Sequence, residues 1–291
     1  MYKDDEHTKR AEEGRKRKTA SQSPSVEPPP ASPRIRPAPD PRLSRSLEYG
    51  VAILESFSRD RQTLGIAEMA DIVGISRSTT HRYAITLVAL GYLEQDDKRK
   101  YRLSAQAADP GSAAIGAIRR AAPARIALEE LREDIGHTVS MGVLDGPRVI
   151  YVHRLLSHRP GQYAIDMDLG VGAHAPVHCT AMGKVLMASI SDAERRALLD
   201  GLDLAPQGPN SITAKSKLMA QLDAISTREA VVCDEEHLAG ARSIAVLVPR
   251  PAGERPTALE VTVPSRAYST KRLLAEIGPR LERTARLISG G

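Results

Sequence analysis

The stretch from Leu64 to Leu103 constrains this chain most, because its punctuation permits few folds. Ile66, Met69, Ala70 and Val73 recur at i, i+3, i+4 and i+7, the spacing of one helix face. Gly74 then ends that helix by supplying the left-handed conformation a helix stop needs. Ile75 plugs the turn, and Ser76 is a good N-cap for a second helix from Arg77 to Leu90. At about 100° per residue this second helix divides into two faces. Thr80, Tyr83, Ala84, Leu87 and Val88 form the packing side. Ser78, Thr79, Arg82 and Thr86 lie opposite, with Arg77 at the N-terminal end and His81 at the margin. After Gly91, the run Tyr92-Leu93-Glu94, the turn Gln95-Asp96-Asp97 and then Lys98-Arg99-Lys100-Tyr101-Arg102-Leu103 read as a short basic hairpin, with Tyr101 and Leu103 on one face. An earlier helix, about Ser44 to Phe57, carries Leu47, Val51 and Leu54 on one stripe.

Helix, tight turn, helix and basic β-loop, in that order, are the layout of a winged helix-turn-helix. That fold lays its second helix in the major groove of duplex DNA and sets the hairpin on the flanking backbone. Arginine bonds guanine in a bidentate way, and Ser or Thr bonds several bases or phosphates. The positive end of the helix dipole favours a phosphate near Arg77. The expected DNA-binding residues are Arg77, Ser78, Thr79, His81, Arg82, Thr86, Lys98, Arg99, Lys100 and Arg102. Each piece alone more often belongs to a solvated three-helix bundle with a charged surface; the order and spacing carry the assignment.

Length and charge agree with it. A chain of 291 residues accommodates two modest domains, and a formal net charge of +5 fits an anionic partner. Aromatics make up 3% of the chain, with no Trp and one Phe, which argues against the stacking platforms that hold single strands or RNA. Cys179 and Cys233 make no disulfide framework, so a reducing cytoplasm is the expected setting. No stretch has the length of a membrane span and no secretory h-region opens the chain, so no membrane partner is expected.

Several runs carry a resemblance. Ser46-Leu47-Glu48-Tyr49-Gly50-Val51-Ala52-Ile53-Leu54-Glu55 resembles the first helix of the IclR-type bacterial transcription factors. So do Ile75-Ser76-Arg77-Ser78-Thr79-Thr80-His81-Arg82-Tyr83 and Leu87-Val88-Ala89-Leu90-Gly91-Tyr92-Leu93, and the similarity covers about Leu43 to Ile288. It implies an α+β chain. An N-terminal winged helix-turn-helix domain would be joined by a helical linker to a GAF-like or profilin-like α/β effector-binding domain. It further implies a double-stranded operator, a small-molecule effector, and self-association as a dimer or tetramer in which the linker takes part. Catabolic organic or aromatic acids are the family-wide effector candidates.

Four zones follow. Residues 1–41 are basic and Pro-rich, with too few apolar residues to offset the entropy of ordering, and are read as a disordered tail. Residues 42–104 form the winged helix-turn-helix. Residues 105–123 form a helical linker, broken by Pro110-Gly111 and closed by Pro123. Residues 124–291 form the effector-binding and oligomerisation domain. In that last zone a helix from about Pro123 to Ile135 buries Leu128, Leu131 and Ile135 and stops at Gly136. Val139, Met141 and Val143 alternate along a strand, Asp145-Gly146 turns, and Val149-Ile150-Tyr151-Val152 returns. A third strand is expected near Tyr163 to Leu169, and helices at Ala181–Ser189, Asp192–Leu199 and Ala214–Thr227. Strands Ile244–Val248 and Leu259–Val263 precede a final helix from Thr270 to Ile288. The sum is an antiparallel sheet with helices packed on it.

The second domain offers no catalytic constellation: no Gly-rich phosphate loop, no nucleophile elbow, no HExxH. Thr180 is a plausible N-cap that leaves the amides of Ala181, Met182 and Gly183 open to a carboxylate. The resemblance implies that this helix end and the strand after Gly240-Ala241-Arg242-Ser243 line the effector site. The expected effector-binding residues are Ala181, Met182, Gly183, Cys233, Ser243, Glu260 and Thr262. Two departures stand out. Cys233 replaces the acidic residue usual in small-acid sensors of the family, and Glu260 lies where the last strand often reads Ser-x-Ser-Gly-Pro. An inward Glu260 is costly to bury unpaired, so it pairs with Arg242, points outward, or selects a neutral or cationic ligand. His174, His178, Cys179, Cys233 and His237 are residue types that suit zinc, but their spacing fixes no ligand set, and neither a metal nor a cofactor is expected. The competing reading is a metabolic enzyme with an appended nucleic-acid module, which turnover of a pocket ligand would favour. A purely architectural DNA binder, with no pocket, is a third.

Overall fold

The computed structural model describes residues 42–58, 60–121, 124–158, 169–225, 229–250 and 255–290. The expected tail, and the third strand except for Leu169, lie outside them. The N-terminal elements are α1 (Arg45–Glu55), α2 (Ile66–Val73), α3 (Arg77–Ala89), β1 (Leu93–Gln95) and β2 (Tyr101–Leu103). Gly74 ends α2 at φ +75°, and Ser76 caps α3 by accepting the Thr79 N–H at 3.1 Å. Leu64 and Tyr101 exchange two backbone hydrogen bonds of 2.9 and 2.8 Å, which hems the hairpin to the segment before α2. Ile53, Met69, Val73, Ala84, Leu87, Leu93 and Tyr101 form one core.

The packing face of α1 differs from expectation. Leu47 and Val51 are 68% and 45% exposed, and Ala52 and Ile53 are buried instead. This helix is apolar over much of its circumference, so spacing alone did not select the stripe that faces α3. Val88, expected on the packing side of α3, is exposed, and Leu103 points to solvent while Tyr101 is buried.

Next come a 3-10 turn at Ala105–Ala108 and α4 (Asp109–Ala121). Pro110 does not break α4; it sits in the first turn, where no intrahelical N–H is required. The remainder comprises α5 (Arg125–Ile135), β3 (Thr138–Asp145), β4 (Arg148–Leu155), β5 (His174–Pro176), α6 (Ala181–Ala188), α7 (Asp192–Asp200), α8 (Lys215–Ala224), β6 (Val231–Asp234), β7 (Ala241–Leu247), β8 (Thr257–Pro264), α9 (Thr270–Glu276) and α10 (Gly278–Ser289). Its sheet runs β5-β4-β3-β8-β7-β6, with every neighbour antiparallel.

Alternate residues of that sheet enter two cores, since helices cover both faces. Val139, Met141, Ile244, Val246, Leu259, Val261 and Val263 pack with Leu128, Leu131, Leu273 and Leu281 of α5, α9 and α10. Val149, Tyr151, Ala245 and Ala258 pack with Met182, Leu186, Leu199, Leu218 and Leu222 of α6, α7 and α8. Burying each such Val, Leu, Ile or Met side chain contributes roughly 1.5–3 kcal/mol. Two local expectations shift by a residue or more. Asp145 pairs with Arg148, so the β3–β4 turn is Gly146-Pro147, with Gly146 at φ +55°. The single C-terminal helix is two, because Pro279 lacks the N–H to continue α9 and instead opens α10 after Ile277.

Candidate nucleic-acid interface and effector cavity

Core packing fixes which side of α3 faces outward. Thr80, Ala84 and Leu87 are buried, while Arg77, Ser78, His81, Arg82 and Thr86 are exposed and Thr79 is half-buried. The Thr79 hydroxyl lies 2.8 Å from the Ser76 hydroxyl and Thr86 donates back to the Arg82 carbonyl, so each already serves the helix. Arg82 leans on Tyr83, its guanidinium carbon 5.6 Å from the ring centroid, and the Tyr83 hydroxyl donates to Ser46 at 3.1 Å. The outward face therefore offers two guanidinium groups, hydroxyls and an imidazole, held at known azimuths by α1.

The four wing cations divide into two kinds. Lys100 Nζ lies 2.5 Å from Glu68, whose carboxylate also accepts the Gly65 N–H at 2.7 Å. These two partners hold the Glu68 carboxyl below the usual range, the Lys100 bond being the larger cause. Arg102 makes two bonds to Glu94, of 2.9 and 2.7 Å. Lys98 and Arg99 stand at the exposed tip and have no carboxylate partner among the described residues. Asp96 Oδ1 shapes that tip by accepting the Lys98 and Lys100 N–H groups, and Arg99 takes φ +59° there.

In the α/β domain a cavity is lined by Tyr151, Arg154, Leu169, Cys179, Cys233, Glu236, His237, Leu238, Ala241, Ser243 and Thr262. Of the residues expected to bind an effector, Cys233, Ser243 and Thr262 line it, while Ala181, Met182, Gly183 and Glu260 are not part of its lining. The amides of Met182 and Gly183 are not left open. Gly183 donates to Thr180 Oγ1 at 3.1 Å and Met182 donates to Glu260 Oε2 at 3.0 Å. Glu260 thus points inward, and Arg242 takes Asp234 at 2.6 Å as its partner instead. Burial raises the Glu260 carboxyl, against the opposing pull of the Met182 N–H and the Arg154 charge. Gly183 has a steric role too: a Cβ there would lie 2.3 Å from the Val177 carbonyl oxygen, so only glycine lets that loop cross the helix start.

Among the lining residues that sequence reasoning did not name, Arg154 brings a guanidinium to the cavity. Strict alternation from Tyr151 sends it to the opposite face of the sheet. However, Met141 pairs with His153 and Gly142 with Tyr151, so Val152 is an extra residue, a β-bulge. The bulge brings Arg154 round to the side of Tyr151, its guanidinium carbon 5.1 Å above that ring, with Nη1 donating to Ser140 Oγ at 3.0 Å.

The remaining polar lining is settled among itself. Lys184 Nζ, buried on α6, meets both oxygens of Glu236 at 2.5 and 2.6 Å. Cys179 Sγ lies 3.6 Å from His237 Nδ1, a different histidine from the adjacent His178, which donates to the Ala205 carbonyl. Burial pushes the Cys179 thiol up to about 12 and the His237 imidazole down to about 4. The thiol of Cys233 is also raised well above its ordinary value by burial. Both members of the Cys–His contact are therefore neutral near pH 7. No three His, Cys, Asp or Glu side chains gather to hold a metal among the described residues, and no described helix is long and apolar enough to cross a membrane.

A winged helix-turn-helix followed by an α/β domain that encloses a polar-lined cavity defines a ligand-responsive DNA-binding regulator. Residues 46–97 match the IclR helix-turn-helix domain, and residues 113–290 match the bacterial transcriptional regulator IclR C-terminal domain. The chain belongs to the IclR family of bacterial transcriptional regulators. The HTH-type transcriptional regulator XynR of Escherichia coli (strain K12) is 32% identical over 207 residues, which are 71% of this chain and 81% of that protein. The structure of a transcriptional regulator from Rhodococcus sp. RHA1 superposes with a TM-score of 0.67 at 28% identity, covering 85% of this chain and 98% of that one. An IclR homolog from Microbacterium hydrocarbonoxydans, complexed with 4-hydroxybenzoate, shares the fold with a TM-score of 0.65 at 24% identity, covering 83% and 99%.

Proposed function

We propose that α3 enters the major groove with Arg77, Ser78, Arg82 and Thr86 toward the bases, and His81 and Thr79 toward the backbone. Lys98 and Arg99 at the wing tip take phosphates, while Lys100 and Arg102 brace the wing from within. The observation that carries this reading is the division of α3, whose exposed face bears the guanidinium, hydroxyl and imidazole groups while Thr80, Ala84 and Leu87 are buried. Arg82→Ala is expected to weaken operator binding and relax preference at one base pair, by the 1–3 kcal/mol, roughly, of a bidentate contact. A footprinting titration reads both effects, and unchanged affinity and footprint reject the assignment.

Residues 42–104 act as the reading head, 105–123 as the linker, and 124–291 as the effector and self-association domain of a cytoplasmic dimer or tetramer. The effector is a small organic acid whose carboxylate meets Arg154 while Ser243 and Thr262 bond its polar groups. Glu260 serves indirectly, by fixing the first turn of α6. The regulator binds its ligand without turning it over. Neutral Cys179 beside neutral His237 supports this, because a nucleophile needs the thiolate.

A further inference from the structure

We propose that Ile85 reads a thymine in the operator through its C5-methyl group, an inference that rests on the placement of α3 in the major groove argued above. Ile85 is 51% exposed. On a helix of about 100° per residue it lies about 20° from Ser78 and about 60° from Arg82, and so within the outward face rather than at its edge. Leu87, in the core, points nearly the opposite way. At about 1.5 Å of rise per residue, Ile85 stands about 4.5 Å beyond Arg82 along the axis, little more than one base step.

Helix propensity does not account for an isoleucine at this position. A β-branched side chain is a poorer helix former than the straight-chain polar residues that usually fill exposed sites. On the helix surface His81 and Arg82 flank it on the N-terminal side and the exposed Val88 and Ala89 on the C-terminal side, so it stands where the polar reading groups meet a small apolar edge of α3. A side chain with neither donor nor acceptor cannot hold a phosphate or bond a base edge. What the major groove offers it is one apolar group, the thymine methyl. Cytosine at the same step presents an amino group that isoleucine would desolvate without pairing, so the contact both attracts T·A and disfavours C·G.

The test uses the full-length protein and a duplex selected by it from a random library. Each thymine in the protected region is replaced in turn by uracil, which pairs identically but lacks the methyl. Wild type is expected to lose about fourfold in affinity at one thymine of each half-site, the weight of one buried methyl group. Ile85→Ala is expected to bind the parent duplex more weakly and to show no loss from uracil at that thymine, with every other uracil effect unchanged. Equal uracil discrimination at all positions in the two proteins overturns the proposal, as does wild-type indifference to uracil everywhere. A changed oligomeric state of Ile85→Ala by light scattering, at matched concentration, also overturns it, since the side chain then lies between copies. If Arg82→Ala leaves affinity and footprint intact, the placement of α3 itself has failed; if only the uracil result fails, that placement stands and Ile85 alone is misassigned.

Discussion

At the scale of single residues, the effector domain buries groups whose ionisation opposes its stability, and two of them respond to pH in opposite directions. The His237 imidazole ordinarily titrates at 6.5 and is held down to about 4 in the fold by burial. Between those values the unfolded chain takes up a proton that the native state refuses, so stability is whole above pH 6.5 and is lost as pH falls toward 4. The loss is at most about 3 kcal/mol. Glu260 is raised, chiefly by burial, so the native state holds its proton where the unfolded chain has released it. Its contribution falls as pH rises through the native value. Urea denaturation across pH 4.5–7.5 should therefore show His237→Gln flattening the acid loss. Glu260→Gln keeps an acceptor for the Met182 N–H and should gain most, relative to wild type, at neutral pH. Parallel profiles for all three proteins would contradict the assignment. Residues of this kind were only partly legible. The odd placement of Glu260 in an apolar strand marked it as a problem, but its partner on α6 lies 78 residues away in the chain and no spacing encodes that. Arg154 was hidden for another reason, since one inserted residue at Val152 reverses the parity on which strand reading depends.

At the scale of elements, the wing shows how a row of like charges in sequence becomes two different devices. Lys98, Arg99, Lys100 and Arg102 read alike as a basic run, yet Glu68 and Glu94 engage Lys100 and Arg102 within the fold. Exposed pairs of this kind contribute about 0–1 kcal/mol, so they serve mainly to orient the hairpin against α2 and β1. A phosphate contact has a separate signature, because each one lost reduces the slope of log affinity against log salt by about one. Lys98→Ala and Arg99→Ala should each lower that slope by about one. Lys100→Ala and Arg102→Ala should weaken binding with a smaller change in slope. Equal slope changes in all four variants would mean that the ion pairs open on DNA. Elements with strong punctuation were legible in sequence: Gly74, Ser76 and Gly136 placed helix ends where the structure has them. Where apolar residues surround a helix, as on α1, or where a proline has two local readings, as at Pro110, the outcome depended on packing partners that periodicity does not name.

At the scale of the whole molecule, effector and operator share one chain, and whatever the acid does to DNA affinity the DNA must do to acid affinity. An effector that changes operator affinity by some factor has its own affinity changed by the same factor, because both arise from one coupling free energy. An acid that binds competent and incompetent states equally shifts nothing, however tightly it binds. The measurement uses the acid that binds best in a calorimetric panel of small aliphatic and aromatic carboxylic acids, together with the selected operator duplex. Its dissociation constant, determined by calorimetry with and without saturating duplex, should move by the factor by which saturating acid moves duplex affinity, typically about 5–150-fold. Arg154→Ala should abolish acid binding and both shifts, yet leave duplex affinity without acid unchanged, because Arg154 lies on β4 and not on the reading head. Acid binding that survives in Arg154→Ala with both shifts intact would move the carboxylate contact elsewhere in the cavity. A dimer adds a geometric demand, since two-fold protein symmetry imposes a pseudo-palindrome with half-sites about one helical turn, or a multiple of it, apart. The duplex recovered by selection must carry that spacing for the acid to act by reorienting two heads; a single unrepeated half-site would confine its action to one head at a time.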